Sequence, residues 1–93
     1  MTVYVDNMRA KFGQMVMCHM LADSREELDA MAERIGVARR WIQHQGTVKE
    51  HYDIALSARA KAVKFGAVEI DMLDTARIMR ERRISAQEDG SDG

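Results

Sequence analysis

The chain has no proline and one cysteine, Cys18, among 93 residues. A single thiol excludes an intramolecular disulfide, and its place in an apolar stretch, beside Met17, fits an inert buried thiol better than a nucleophile. Aromatics are scarce, with one Trp, two Tyr and two Phe, which leaves no ladder on which single-stranded bases could stack. Neither sign of charge dominates. Fourteen basic against fifteen acidic residues give a net charge of -1, so any contact with nucleic acid or an anionic membrane must be local. No long hydrophobic run occurs either: Met15 to Leu21, broken by His19, is far short of the roughly 20 residues of a membrane-spanning helix. No cationic stretch followed by an apolar run marks a leader, and the expected setting is the cytoplasm. Gly-rich phosphate loops, CxxC, HExxH and G-x-S-x-G are all missing.

What is present suffices for one modest core. Hydrophobic residues make up 46% of the chain, and eight of them are methionines, which fill irregular gaps and adapt to partners. Val3 and Val5 alternate with Tyr4 and Asp6 as in a strand, Asn7 to Gln14 has no period and reads as a loop, and Met15 to Leu21 reads as a buried strand. Ser24-Arg25-Glu26-Glu27 has the spacing of a capping box. Leu28, Met31, Ala32 and Ile35 then recur on one helical face until Gly36 stops the helix. Val37 to Ile42 is expected as a third strand and Gln43 to Ala55 as a long loop. A helix over 57–65 ended by Gly66, a strand over 67–70, and a helix capped by Asp71 and running to about Arg83 complete the pattern. The expected fold is therefore a small single-domain α/β fold over 1–84, with three helices on a mixed or mostly parallel sheet of about four strands, in the order β-β-α-β-α-β-α. Residues 85–93 read as an acidic, disordered tail.

Candidate chemistry is concentrated in a few side chains. His51 and Asp53 are one residue apart and would point the same way in an extended segment, which suits a divalent metal or an acid–base pair. His19 and Asp6, near strand ends, could join them as catalytic groups, although a hydrogen-bonded core histidine is the plainer role for His19. Asp23 is more naturally a helix cap. Arg59 projects from the side of its helix opposite the polar stripe of Ser57, Lys61 and Lys64. Either it pairs with a carboxylate, Asp53 or Asp6, or with a bound anion that offsets its desolvation, or its long side chain snorkels to water. Arg40 is the other candidate for an anionic ligand. Arg77, Arg80, Arg82 and Arg83 make the last helix basic, which reads as a solvated face with unspecific capacity for nucleic acid.

Five stretches, Thr2-Val3-Tyr4-Val5-Asp6, Met15-Val16-Met17-Cys18-His19-Met20, Arg34-Ile35-Gly36-Val37-Ala38-Arg39-Arg40-Trp41, His51-Tyr52-Asp53-Ile54 and Gly66-Ala67-Val68-Glu69-Ile70, together resemble the small phage and bacterial family catalogued as domain of unknown function 4031. The resemblance covers roughly the first 80 residues and implies a phage or prophage setting. It assigns no activity and no catalytic positions. Three functions are open at this point. One is a non-enzymatic accessory protein that binds a host protein or nucleic acid. The others are a metal-dependent hydrolase of phosphoesters and a sensor of a small anionic ligand. Short sheet edges and a Met-rich core further lead to the expectation of a homodimer.

Overall fold

The computed structural model describes residues 2–91, with side chains from 2 to 87. Six strands form one sheet: β1 (Val3–Val5), β2 (Ala10–Phe12), β3 (Met15–Ala22), β4 (Ile42–Gln43), β5 (His51–Ala55) and β6 (Val68–Glu69). Three helices accompany them, α1 (Arg25–Arg34), α2 (Leu56–Lys64) and α3 (Met72–Ser91). The sheet order is β4-β5-β3-β1-β6, with β2 folded back on the start of β3. The sheet is mixed: β1 and β6 run parallel and every other pairing is antiparallel.

Alternation along the three central strands sorts the side chains. Val3, Val5, Met20, Ala22, Tyr52 and Ile54 point to one face and pack with Leu28, Met31, Ala32 and Ile35 of α1 and Ala62 of α2 in a single core. Asp6, His19, His51 and Asp53 have the opposite parity and lie on the other face, where α3 reaches the sheet through Thr75 and through Arg82, which donates to the Ala22 carbonyl.

Both core helices end in the same way. Val37 N–H bonds the Ala32 carbonyl at 2.8 Å and Gly36 N–H bonds that of Glu33 at 3.2 Å, and Gly36 has φ +81°. The pattern repeats at Ala67 to Ala62, 2.9 Å, and Gly66 to Val63, 3.0 Å, with φ +105° at Gly66. These are Schellman motifs, and the left-handed residue they require falls on glycine in each case. At the start of α1 the Ser24 hydroxyl accepts from Glu27 N–H at 3.2 Å, while the Glu27 carboxylate takes the Ser24 hydroxyl proton at 2.9 Å rather than reaching the Ser24 backbone.

Four expectations change. The loop after β1 contains β2, whose three residues are all exposed and therefore carry no hydrophobic signal. Val37 to Ile42 is not a strand: a 3-10 turn, Arg39–Trp41, occupies half of it and only Ile42 enters β4. The supposed loop of Gln43 to Ala55 ends in β5, which is paired on both sides. Helix α3 continues past Arg83 to Ser91, through most of the segment read as a disordered tail, because no helix breaker precedes Gly90. Of that tail, 92–93 lie outside the described residues.

Candidate metal centre

Strand register places the chemistry. His19 of β3 is directly opposite Asp53 of β5. Asp6, just past β1, continues the ladder on the other side of β3 through its N–H to the His19 carbonyl at 3.0 Å. Opposed residues on adjacent strands share a face, so Asp6, His19 and Asp53 form one row across the sheet, and His51 joins Asp53 from two residues along β5. All four candidates named from the sequence thus meet at one place.

Hydrogen bonds fix the imidazoles. His19 Nδ1 lies 2.7 Å from Asp6 Oδ2, and His51 Nδ1 lies 2.6 Å from the Lys49 carbonyl. A carboxylate and a carbonyl only accept, so each Nδ1 carries the proton and donates it. In the neutral rings each Nε2 is then a bare lone pair. Both are aimed at Asp53 Oδ1, 3.2 Å from His51 Nε2 and 3.9 Å from His19 Nε2. The three atoms lie within 4.8 Å of one another. Asp53 Oδ1 is buried and has no hydrogen-bond donor, the one side-chain atom of its kind among the described residues. Three acceptors converging without a donor are repulsive unless a proton or a cation sits between them.

Asp6 holds this arrangement from behind. Its side chain is fully buried, and its oxygens also accept from His19 N–H (2.9 Å), Met8 N–H (3.1 Å) and the Thr75 hydroxyl (2.8 Å). Burial pushes its carboxyl up, but the His19 ring and these further donors outweigh burial and hold it at about 2. The same bond raises the His19 pKa above its ordinary 6.5, against the opposing effect of burial. A histidine whose Nδ1–H is anchored on a carboxylate and whose Nε2 faces a second carboxylate oxygen, 3.9 Å away, has the arrangement of a metal ligand with its supporting shell.

The remaining candidates lie elsewhere or are occupied. Arg59 donates through Nε to the Asp6 carbonyl at 2.8 Å and through Nη1 to Glu69 at 2.9 Å. Its carboxylate is therefore Glu69, not Asp53 or Asp6, and it ties α2 to β1 and β6. Arg40 is in the 3-10 turn with its guanidinium 5.2 Å from the Trp41 ring centroid, and it makes no bond to the cluster among the described residues. Asp23 accepts from the Tyr4 hydroxyl at 2.9 Å, and Ser24 is the helix cap. Cys18 is buried on the opposite parity of β3 from His19. Two participants escaped the sequence reading. Thr75 is an isolated threonine in a helix and carried no signal. His44, with φ +53°, stacks on His51 at 5.8 Å between ring centroids.

A compact mixed α/β domain with a His/Asp cluster on the sheet face beside α3 is the class that fold and site define. The chain belongs to a protein family of unknown function, DUF4031, whose model matches residues 3–82. No curated protein and no solved structure matches it. Among the described residues no helix is long and apolar enough to cross a membrane.

Proposed function

We propose that the protein binds a divalent transition-metal ion through His19 Nε2, His51 Nε2 and Asp53 Oδ1, and that the ion activates water to hydrolyse a phosphoester. The observation that carries this reading is the convergence of three lone pairs whose alternative protons are already committed: each Nδ1–H is donated elsewhere and Asp53 Oδ1 has no donor. Two imidazoles and one carboxylate suit zinc, and three protein ligands leave a fourth position for water, whose pKa zinc lowers toward about 7. The Asp53 side chain as a whole is 37% exposed although its Oδ1 is buried, so the cluster lies close to the protein surface. Ligand atoms along a tetrahedral edge are about 3.3 Å apart for zinc–nitrogen bonds of about 2.0 Å. The His51–Asp53 separation of 3.2 Å already matches. The other two edges, 3.9 Å from His19 to Asp53 and up to 4.8 Å between the imidazoles, must close by about 0.6 and 1.5 Å to reach that spacing.

The test is zinc loading followed by elemental analysis of wild type, His51→Ala and Asp53→Asn. One zinc per chain in wild type, lost in both variants, supports the site; no zinc in wild type, or equal zinc in all three, overturns it. Turnover of bis(p-nitrophenyl) phosphate in proportion to bound metal then supports hydrolysis, whereas stoichiometric zinc without turnover favours a sensor.

A second reading is a non-enzymatic accessory protein of phage or prophage origin that binds a host protein or nucleic acid in the cytoplasm. It draws on Phe12, 75% exposed, and Met15 at the tip of the β2–β3 hairpin, an apolar projection that a partner or a second copy of the chain could cover.

A further inference from the structure

A cavity of about 240 Å³ separates the β4–β5 loop from α3, and it is lined by Val48, Lys49, Ala76, Met79, Arg80 and Arg83. Three of these six side chains are cations and none is a carboxylate. Of the arginines outside the cavity, Arg25, Arg39, Arg59 and Arg77 each reach an acidic side chain, Arg34 and Arg40 lie over aromatic rings and Arg82 donates to a backbone carbonyl. Lys49, Arg80 and Arg83 make no ion pair among the described residues. In a chain of net charge -1, three cations without an acidic partner among the described residues line one concavity, where an anion would find complementary charge.

Both walls of the cavity are continuous with the His/Asp cluster. The carbonyl of Lys49 is the acceptor that orients His51 at 2.6 Å, and Thr75, the neighbour of Ala76 on α3, bonds Asp6 at 2.8 Å. The larger cavity, about 410 Å³, is lined by α1 and the α2–β6 turn and contains no member of the cluster.

We propose that Lys49, Arg80 and Arg83 form a phosphate-binding pocket, and that the substrate of the adjacent centre is a nucleotide or oligonucleotide with a second phosphate seated there. The link to chemistry rests on the hydrolase reading, but the pocket can be tested apart from it. Guanidinium groups bind phosphate oxygens in pairs and Lys adds a compact charge, while Met79 and Val48 offer apolar surface beside them for a sugar or base.

The experiment is fluorescence anisotropy of a labelled twelve-residue oligothymidylate, competed by inorganic pyrophosphate and by ATP. The proteins are wild type, the triple variant Lys49→Gln/Arg80→Gln/Arg83→Gln, and Asp53→Asn. All three replaced side chains are exposed, so the triple variant keeps the fold, which circular dichroism checks. The expected result is binding at low salt that weakens at least tenfold in the triple variant, with a shallower dependence of log Kd on log salt. Displacement by pyrophosphate or ATP at matched phosphate concentration assigns the pocket to free nucleotides; resistance to both assigns it to a strand. Absence of binding to all three probes, or unchanged binding by the triple variant, overturns the proposal. Asp53→Asn keeps the anion affinity even if zinc fails to bind, and the triple variant keeps its zinc, so the two readings fail separately.

Discussion

Asp53 is the residue on which structure and proposed function pull in opposite directions. Its Oδ1 is buried without a donor, a defect that costs about 1–3 kcal/mol in an otherwise satisfied protein. Asparagine at this position can turn an amide N–H toward His51 Nε2. Asp53→Asn is therefore expected to stabilise the metal-free protein by about 1 kcal/mol in urea titrations while abolishing the gain that zinc confers on wild type. A loss of metal-free stability in that variant contradicts the account of the orphan oxygen. Asp6 behaves in the reverse sense. Its carboxyl is held at about 2 against an ordinary 3.8, so its contribution is present above pH 3.8 and is lost as pH falls through the folded value. That difference amounts to about 2 kcal/mol. The urea midpoint of wild type should fall more steeply between pH 4 and pH 2 than that of Asp6→Asn. At neutral pH, Asp6→Asn should keep one zinc per chain but with affinity reduced by roughly 10–100-fold, because it orients a ligand without being one. The raised His19 pKa adds a proton that the ion must displace, so zinc affinity in calorimetry should climb with pH through and above 6.5.

At the scale of elements, the glycine-ended helices make the sharpest prediction. Gly66 sits at φ +105° with nothing within 4 Å of the place a Cβ would take, so the cost of Gly66→Ala is backbone strain alone, about 1–2 kcal/mol in chemical denaturation. These helices were legible in the sequence because their signals are local: in α1 a serine three residues before a glutamate and an apolar stripe, and in both a glycine at the end. Strand β5 was not. Tyr52 and Ile54 alternate as in a strand, but the intervening positions carry His51 and Asp53, and a five-residue strand whose outer face is given to polar groups leaves only two apolar positions to reveal it. The four cluster residues could still be nominated, because an i, i+2 His/Asp pair is informative wherever it lies. Their supporting contacts could not. Thr75 meets Asp6 across 69 positions of sequence, and Glu69 meets Arg59 only because β6 pairs parallel to β1. No local pattern encodes either meeting.

For the molecule as a whole, a ligand that binds only the folded chain raises its stability by mass action. Zinc at 100 times its Kd adds about 2.7 kcal/mol, which for a domain of this size corresponds to a rise in Tm of roughly 10–20 °C. A zinc-induced shift that survives in His51→Ala would place the ion elsewhere. The terminal strands β4 and β6 are each only two residues long, which limits edge pairing, and β2, paired with β3 alone, leaves a third short edge of three exposed residues. The homodimer expected from the sequence would then use the exposed hairpin tip, Phe12 and Met15, rather than an extended sheet. Light scattering at micromolar concentration should report twice 10.6 kDa in wild type and 10.6 kDa in Phe12→Ser.

The way the cluster is assembled also constrains the order of events in time. Its components come from β1, β3, β5 and α3, so neither half of the chain holds a preformed site, and the pairing of β1 with both β3 and β6 closes only after residues distant in sequence have met. Metal capture should then be a late step. In stopped-flow refolding with zinc in excess, the rate of uptake is expected to equal the folding rate and to be independent of zinc concentration, which makes the bound ion a reporter of completed tertiary structure rather than its nucleus.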